Sequence, residues 1–176
     1  MFLRCFSTMP LSHTTLSAIT FIALLGCGVM AGLFFAFSNF VMQALSRLPP
    51  SGAVAAMNAI NVEIVNPLFL FLFVGTPAAC LFLVIHAVLW AKAAGTVFLL
   101  SGGIVYLVGT LGVTAVFNVP RNNALARVDP AGPAAADAWR EFVGPWLGWN
   151  HVRSVASLLA AVLLGCGFAE LSAAVR

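Results

Sequence analysis

The stretch LSAITFIALLGCGVMAGLFFAFSNFVMQAL, from Leu16 to Leu45, decides the fold. It contains no Asp, Glu, Lys or Arg. At ~1.5 Å of rise per residue, a helix of this length exceeds the ~30 Å hydrocarbon core of a bilayer. A secretory signal has an apolar core of only ~7–15 residues. The stretch therefore predicts a transmembrane helix rather than a cleaved signal.

Three further apolar stretches follow, at about residues 64–90, 97–117 and 152–171. Only 7% of the chain is charged and 62% is apolar, whereas a soluble domain carries roughly 25% charged residues. The stretches lack the alternation of a membrane strand, which leaves helices. The sequence predicts an all-α membrane four-helix bundle with antiparallel, up-down-up-down threading. It forms one domain over residues 16–171, with tails at 1–15 and 172–176.

The connections between these spans differ in length. The second connection, at about residues 91–95, is short enough to force a hairpin. The third is long and contains two turn signals, Asp129-Pro130 and Gly132-Pro133. Residues 134–143 suit a helix, and we expect this helix to lie on the membrane surface.

Most polar residues fall on one side of the predicted bundle, where spans one and three end and spans two and four begin. Trp146, Trp149, Asn150 and Arg153 have helical spacing, so they share one stripe. Trp, Arg and Asn are also common interfacial anchors and helix caps, but ionisable residues inside spans usually indicate function. A polar pocket is predicted from these residues: Ser38, Asn61, Glu63, Asn66, Asn118, Arg121, Asn122, Trp149, Asn150, His151 and Arg153.

Other features exclude several classes of site. The net charge of +3 is scattered, without the basic stripe of a nucleic-acid-binding protein. The four cysteines lack the spacing of a metal site or a disulfide framework. His13 and His86 lie on the opposite side and are typical of interfacial histidines rather than haem ligands. No metal and no cofactor is predicted.

Several strings together resemble the anthrone oxygenase-like family of small four-span membrane proteins. These strings are Gly32 to Met42, Asn58 to Asn61, Asn66 to Phe69, Phe117 to Asn122, and Trp149 to Arg153. The resemblance implies the four-span fold. It also implies oxidation of anthrones to anthraquinones with O₂ and without an evident metal or flavin.

The resemblance gives the pocket residues expected roles in such a reaction. Anthrone has an acidic CH₂ conjugated to a carbonyl, so the protein needs a base and a partner for the oxyanion. His151 or Glu63 is the expected base, and Arg153 or Arg121, helped by Asn150 and Asn122, the expected oxyanion partner. Phe34, Phe35 and Phe37 are expected to offer a flat wall to the aromatic substrate. The remaining pocket residues are expected to bind substrate: Ser38, Asn61, Asn66, Asn118 and Trp149.

Two other functions fit the same residues. One is a non-catalytic membrane module that binds or exports a small lipophilic molecule, and the other is a structural subunit of a membrane complex. The predicted partners are a lipophilic aromatic substrate, O₂ and the lipid bilayer, and self-association as a homo-oligomer stays open. The positive-inside rule favours a cytoplasmic pocket in the cell membrane. Arg47, Arg121, Arg127 and Arg140 lie on the pocket side, against Arg4, Lys92 and Arg176 on the other.

Overall fold

The computed structural model describes residues 12–90 and 95–174. Most of the N-terminal tail, the Lys92 connection and the end of the C-terminal tail with Arg176 lie outside the described residues. Five helices are described, and four of them are long and apolar enough to cross a membrane. These are α1 (His13–Leu45), α3 (Pro67–Leu89), α4 (Thr96–Leu125) and α5 (Ala135–Ala173), with the shorter α2 (Pro50–Glu63) after α1. The chain is thus an all-helical membrane protein.

Local sequence explains where several of these helices begin. The Ser12 hydroxyl accepts a hydrogen bond from the Thr15 N–H and caps α1, and the Asn66 side chain does the same for α3 through the Phe69 N–H. Pro50 and Pro67 occupy the first turns of α2 and α3, where a missing N–H costs least.

The four long helices contact one another in a ring. Helix α1 packs against α3 and α5, and α4 packs against the same two helices. Small residues set the closest approaches: a Cβ on Gly109 of α4 would come within 2.6 Å of the Ala156 Cβ on α5. Such small-residue contacts are typical of helix pairs in membranes, because lipid provides no hydrophobic drive for association.

The structure differs from the sequence prediction in the region between the third and fourth spans. Helix α4 continues past the expected end near Phe117. Pro120 lies in the first turn after a π-helical segment (Thr114–Asn118), where its missing N–H interrupts no regular series of helical hydrogen bonds. Residues 135–143 do not form a separate surface helix but are the start of α5, which runs through Pro145 without a break. One buried stripe holds α5 together across this proline: Ala135, Trp139, Phe142, Trp146, Asn150 and Arg153.

The start of α5 is packed against protein. Trp139, Phe142 and Trp146 form an apolar cluster with Met57 of α2 and Met42 of α1. A second cluster lies further along the four long helices and is built mainly from Leu, Ala, Met and Cys side chains, together with Phe34 and Tyr106. Two buried asparagines lie where the clusters meet: Asn150 donates to the Phe34 carbonyl of the second cluster, and Asn118 donates to the Trp146 carbonyl of the first.

Candidate functional site

A cavity of about 320 Å³ lies where the two clusters meet, and all five helices contribute to its wall. Its size is at the lower end of the range for small-molecule sites. Most of the wall is apolar, with a few polar groups converging on it. Its lining residues are Leu33, Phe34, Phe37, Met57, Ile60, Asn61, Ile64, Val65, Phe69, Leu70, Phe73, Thr114, Val119, Asn122, Asn123, Trp146, Asn150 and Arg153.

Arg153 is the charged residue of the cavity wall and is only 5% exposed. One terminal nitrogen donates to the Asn150 Oδ1 at 2.6 Å, and the other reaches the Thr114 Oγ1 at 3.4 Å. The guanidinium lies over the Phe34 ring, with its Cζ 4.3 Å from the ring centroid. Its Nε–H has no partner among the described residues. Within residues 12–90 and 95–174 the one ion pair joins Arg140 to Asp137, so Arg153 is a buried cation without a described counter-anion.

Asn150 fixes the position of this guanidinium. It is fully buried, and its Nδ2 donates to the Phe34 carbonyl at 2.8 Å and to the Ser38 Oγ at 2.7 Å. With both amide protons committed, its Oδ1 is the atom that faces Arg153. The Phe34 carbonyl lies just before a π-helical segment, Phe37–Val41, and such segments often occur at functional sites.

A second polar chain lines another part of the cavity. The Trp146 Nε1–H donates to the Asn122 Oδ1 at 2.7 Å, and the Asn122 Nδ2 donates to the Asn61 Oδ1 at 3.0 Å. The chain joins α5 to α4 and α4 to α2. It ends at the Asn61 Nδ2, which is buried and has no partner in the part of the chain that the structure describes.

The structure brings eight of the fourteen predicted site residues together. Six line the cavity: Phe34, Phe37, Asn61, Asn122, Asn150 and Arg153. Two others do not line the cavity but form hydrogen bonds with residues that do. Ser38 accepts a hydrogen bond from Asn150, and the Asn118 Nδ2 donates to the Trp146 carbonyl at 3.1 Å.

The two predicted bases do not line the cavity. Glu63 is the last residue of α2 and is exposed. His151 follows the buried Asn150, and one helical step of about 100° turns its side chain to the exposed side of α5. Their expected role as base therefore gains no support from this geometry.

Four other predicted residues also lie away from the cavity. Phe35 follows Phe34 on the next helical step and is 59% exposed. Asn66 caps α3. Arg121 donates to the Phe117 carbonyl at 2.6 Å, and Trp149 stacks on the Phe117 ring with 3.6 Å between the ring centroids.

Several lining residues carry little signal in the sequence. Thr114 lies in the middle of an apolar run, at the start of a π-helical segment of α4, and contacts Arg153 there. Phe69 and Phe73 form part of the apolar wall and stack with 5.2 Å between their ring centroids. Phenylalanine at helical spacing in a span usually faces lipid or packs against a neighbouring helix. The position of Trp146 beside the cavity could be predicted from the sequence, because Trp146 has helical spacing with Asn150 and Arg153.

The similarity to a known family extends over more than half of the chain. A sequence model described as anthrone oxygenase matches residues 69–163. The chain belongs to the anthrone oxygenase family. The match runs from the first turn of α3 through most of α5 and includes Thr114, Asn122, Trp146, Asn150 and Arg153.

The N-terminal half of the cavity lies outside this match. Phe34 and Asn61, from α1 and α2, complete the family's matched segment with an aromatic face and an amide. No curated protein and no solved structure matches the chain. No group of three or more His, Cys, Asp and Glu residues that could hold a metal occurs among residues 12–90 and 95–174.

Proposed function

We propose that this anthrone oxygenase family member is an oxidoreductase that oxidises a lipophilic aromatic, anthrone- or quinol-like, with O₂ in the cavity. The observation that carries the proposal is Arg153, a cation 5% exposed between aromatic rings and without a described carboxylate partner. Charges buried in a protein are normally paired, and an intramembrane cation without a counter-ion suits an anionic ligand. The enolate form of an anthrone, a flat aromatic oxyanion, has this character.

The reaction balances without an external reductant. Loss of one CH₂ proton gives the enolate, which forms a C–O bond with O₂. The resulting peroxide anion takes up a proton from water and becomes a hydroperoxide. Cleavage of the O–O bond with loss of the second hydrogen as water leaves a carbonyl. One oxygen atom of O₂ ends in the quinone and one in water, and the CH₂ carbon supplies the electrons.

The chain's residues have distinct parts in this proposal. Arg153 stabilises the oxyanion as it develops, which is the effect of a preorganised donor in a site of low dielectric. Asn150 is a positioning residue, because it holds the guanidinium through its Oδ1. Phe34 provides an aromatic face beside it. We expect Arg153 to stabilise the enolate and the released proton to pass to water, because His151 and Glu63, the bases that the sequence suggests, are exposed and lie outside the cavity lining.

The proposal includes the arrangement in the membrane. We propose up-down-up-down threading, which is supported by two contacts between α4 and α5. The Gly95 N–H at the start of α4 donates to the Glu170 carboxylate near the end of α5, and Asn118 near the end of α4 contacts Trp146. We also propose that the cavity faces the cytoplasmic side of the cell membrane, as the distribution of Arg and Lys predicts.

The experiment is O₂ uptake by the detergent-purified protein with anthrone as substrate, with anthraquinone measured as product. We expect anthrone-dependent O₂ consumption in a ratio of one O₂ per anthraquinone. Asn150→Leu should lower it by at least tenfold, because the guanidinium loses its 2.6 Å partner. Val152→Ala, which changes an exposed neighbour on the same helix, is the matched control.

One observation favours a second candidate function. The described lining of the cavity contains neither a carboxylate nor a histidine, which suits a module that binds or exports a lipophilic molecule. Binding of anthrone with no O₂ uptake in any preparation would replace the oxygenase proposal with this one.

A further inference from the structure

A second cavity, of about 310 Å³, lies in a groove between the end of α4 and the start of α5. Five of its lining residues are apolar, and the other two, Arg121 and Glu141, carry opposite charges. None of these seven residues lines the cavity at Arg153. The groove is therefore a separate place on the bundle, and the proposed oxidation makes no use of it.

The two charges of the groove do not neutralise each other. The one ion pair in the part of the chain that the structure describes joins Arg140 to Asp137, so the Arg121 guanidinium and the Glu141 carboxylate are not paired. One terminal nitrogen of Arg121 donates to the Phe117 carbonyl at 2.6 Å, which holds the guanidinium beside the groove. Its other nitrogen atoms and the exposed Glu141 carboxylate have no hydrogen-bond partner among the described residues. Two opposite and unpaired charges on one groove suit a ligand that carries both.

The groove continues towards the membrane interior as an apolar surface. One turn from Arg121 in this direction, the Phe117 ring stacks on Trp149 of α5 with 3.6 Å between the ring centroids. Tryptophan is enriched at the level of the lipid headgroups. Val152 and Val155, which come one and two turns after Trp149, are exposed. They form a surface for lipid chains.

The order of these groups across the membrane matches that of a phospholipid with an amine headgroup. With α4 and α5 antiparallel, as proposed above, Trp146 lies level with Asn118 and Asn122, and Arg121 is next to them. Glu141 precedes Trp146 on α5, and at ~1.5 Å per residue it lies ~7 Å further from the membrane centre. From the centre outwards the groove therefore presents apolar surface, aromatic pair, cation and carboxylate. Acyl chains, phosphate and ammonium follow one another in the same order in the lipid.

We infer that the groove binds one molecule of phosphatidylethanolamine, with its phosphate at Arg121 and its ammonium at Glu141. A guanidinium suits this phosphate because its planar N–H groups match phosphate geometry. A primary ammonium has three N–H donors for a carboxylate, whereas the trimethylated ammonium of phosphatidylcholine has none. Phosphatidylglycerol would place no cation at Glu141. The inference does not depend on the oxygenase reaction.

Native mass spectrometry measures this preference on the full-length protein. The protein is released from detergent in the presence of equimolar phosphatidylethanolamine, phosphatidylcholine and phosphatidylglycerol with identical acyl chains. We expect phosphatidylethanolamine to be bound about 3- to 10-fold more than either of the others, the effect of one hydrogen bond. Glycerophosphoethanolamine, which is the headgroup without acyl chains, should not displace the bound lipid at the same concentration, because it makes no contact with the apolar surface.

Two substitutions separate the two charges. Glu141→Gln should abolish the preference for phosphatidylethanolamine and change the binding of phosphatidylcholine by less than about twofold. Arg121→Gln should weaken all three lipids by about 3- to 10-fold and leave their ratios unchanged, because all three carry a phosphate. Arg121→Lys keeps a cation and should restore most of the binding, which separates loss of the phosphate contact from a disturbed fold. Arg140→Gln and Glu63→Gln make the same changes at exposed residues outside the groove and should alter neither amounts nor ratios.

Three results overturn the inference. One is equal binding of phosphatidylethanolamine and phosphatidylcholine by the unchanged protein. Another is an undiminished preference in Glu141→Gln, which would place the ammonium elsewhere. The third is displacement of the lipid by glycerophosphoethanolamine, which would make the ligand a soluble zwitterion. Lipid binding is measured without anthrone or O₂, so failure of the oxygenase proposal leaves these outcomes unaffected.

Discussion

Replacing Arg153 with methionine separates the function of this residue from its structural effect. Methionine is of similar length and apolar, so Arg153→Met removes the charge while filling much of the same space. The change leaves Phe34 and Asn150 in place around the new side chain. We expect a protein that folds and no longer turns over.

The expected change in stability is a small difference between opposing effects. The loss of the charge-assisted bond to Asn150 costs ~1.5–3 kcal/mol, and the loss of the contact with the Phe34 ring costs ~0.5–2 kcal/mol. Against this, insertion scales assign a penalty of ~2.5–3.5 kcal/mol to an arginine at the centre of a span. The net loss in the free energy of unfolding should therefore lie between about −1.5 and +2.5 kcal/mol.

The expected change in rate is much larger. Removing one donor of an oxyanion site costs ~10²–10³ in kcat, so anthrone-dependent O₂ uptake should fall by at least a hundredfold. The assay pairs an oxygen electrode with thermal unfolding of the same detergent preparation. Retained O₂ uptake would refute the assigned role of Arg153. A loss of uptake accompanied by a collapse in thermal stability would show that the arginine holds the fold instead.

Three further predictions concern packing, capping and the predicted bases. Gly109→Ala should lower the unfolding temperature relative to Gly28→Ala. A Cβ at Gly109 would lie 2.6 Å from the Ala156 Cβ, whereas nothing lies within 4 Å of a Cβ at Gly28. Overpacking costs ~1–3 kcal/mol, and equal unfolding temperatures for the two variants would contradict this contact. Glu170→Leu should destabilise the start of α4 by ~0.5–2 kcal/mol through loss of the acceptor for the Gly95 N–H, while Glu170→Gln, which keeps a carbonyl oxygen, should restore most of this stability in thermal unfolding. His151→Ala and Glu63→Ala should each reduce O₂ uptake by less than about threefold because both side chains are exposed; a hundredfold loss in either would restore the base role that the sequence suggests.

The membrane character and the number of spans were predictable because they depend on the length and composition of apolar runs. Four helices qualify as membrane spans, as the apolar stretches predict. Of the predicted stripe, Trp146, Asn150 and Arg153 form one buried face of α5, whereas Trp149 is half-buried and stacks on Phe117. Helical spacing is a local property, so the sequence determines it without knowledge of neighbouring helices.

The side to which single residues turn was harder to predict. Phe34 and Phe35, or Asn150 and His151, are adjacent in sequence and similar in chemistry. One member of each pair is buried and the other exposed. Which member faces inward depends on the rotation of each helix about its own axis, and this is set by packing against the other helices. Sequence reasoning therefore grouped polar residues that the structure in part brings together, while its two candidate bases, His151 and Glu63, lie on exposed faces outside the cavity lining and their role stays a prediction.

The π-helical segments explain why this cavity has polar groups from several helices. Phe37–Val41 in α1 and the pair Leu107–Gly112 and Thr114–Asn118 in α4 add residues per turn, and so rotate the later turns of each helix relative to a regular one. In α4, Thr114 and Asn122 both lie on the cavity wall, and in α1 the Phe34 carbonyl accepts the Phe37 N–H as well as the Asn150 amide. Arg153 is a buried cation without a described counter-ion. Such a charge is unfavourable in an empty apolar cavity, so its position at the wall suits the anionic ligand of the proposed function.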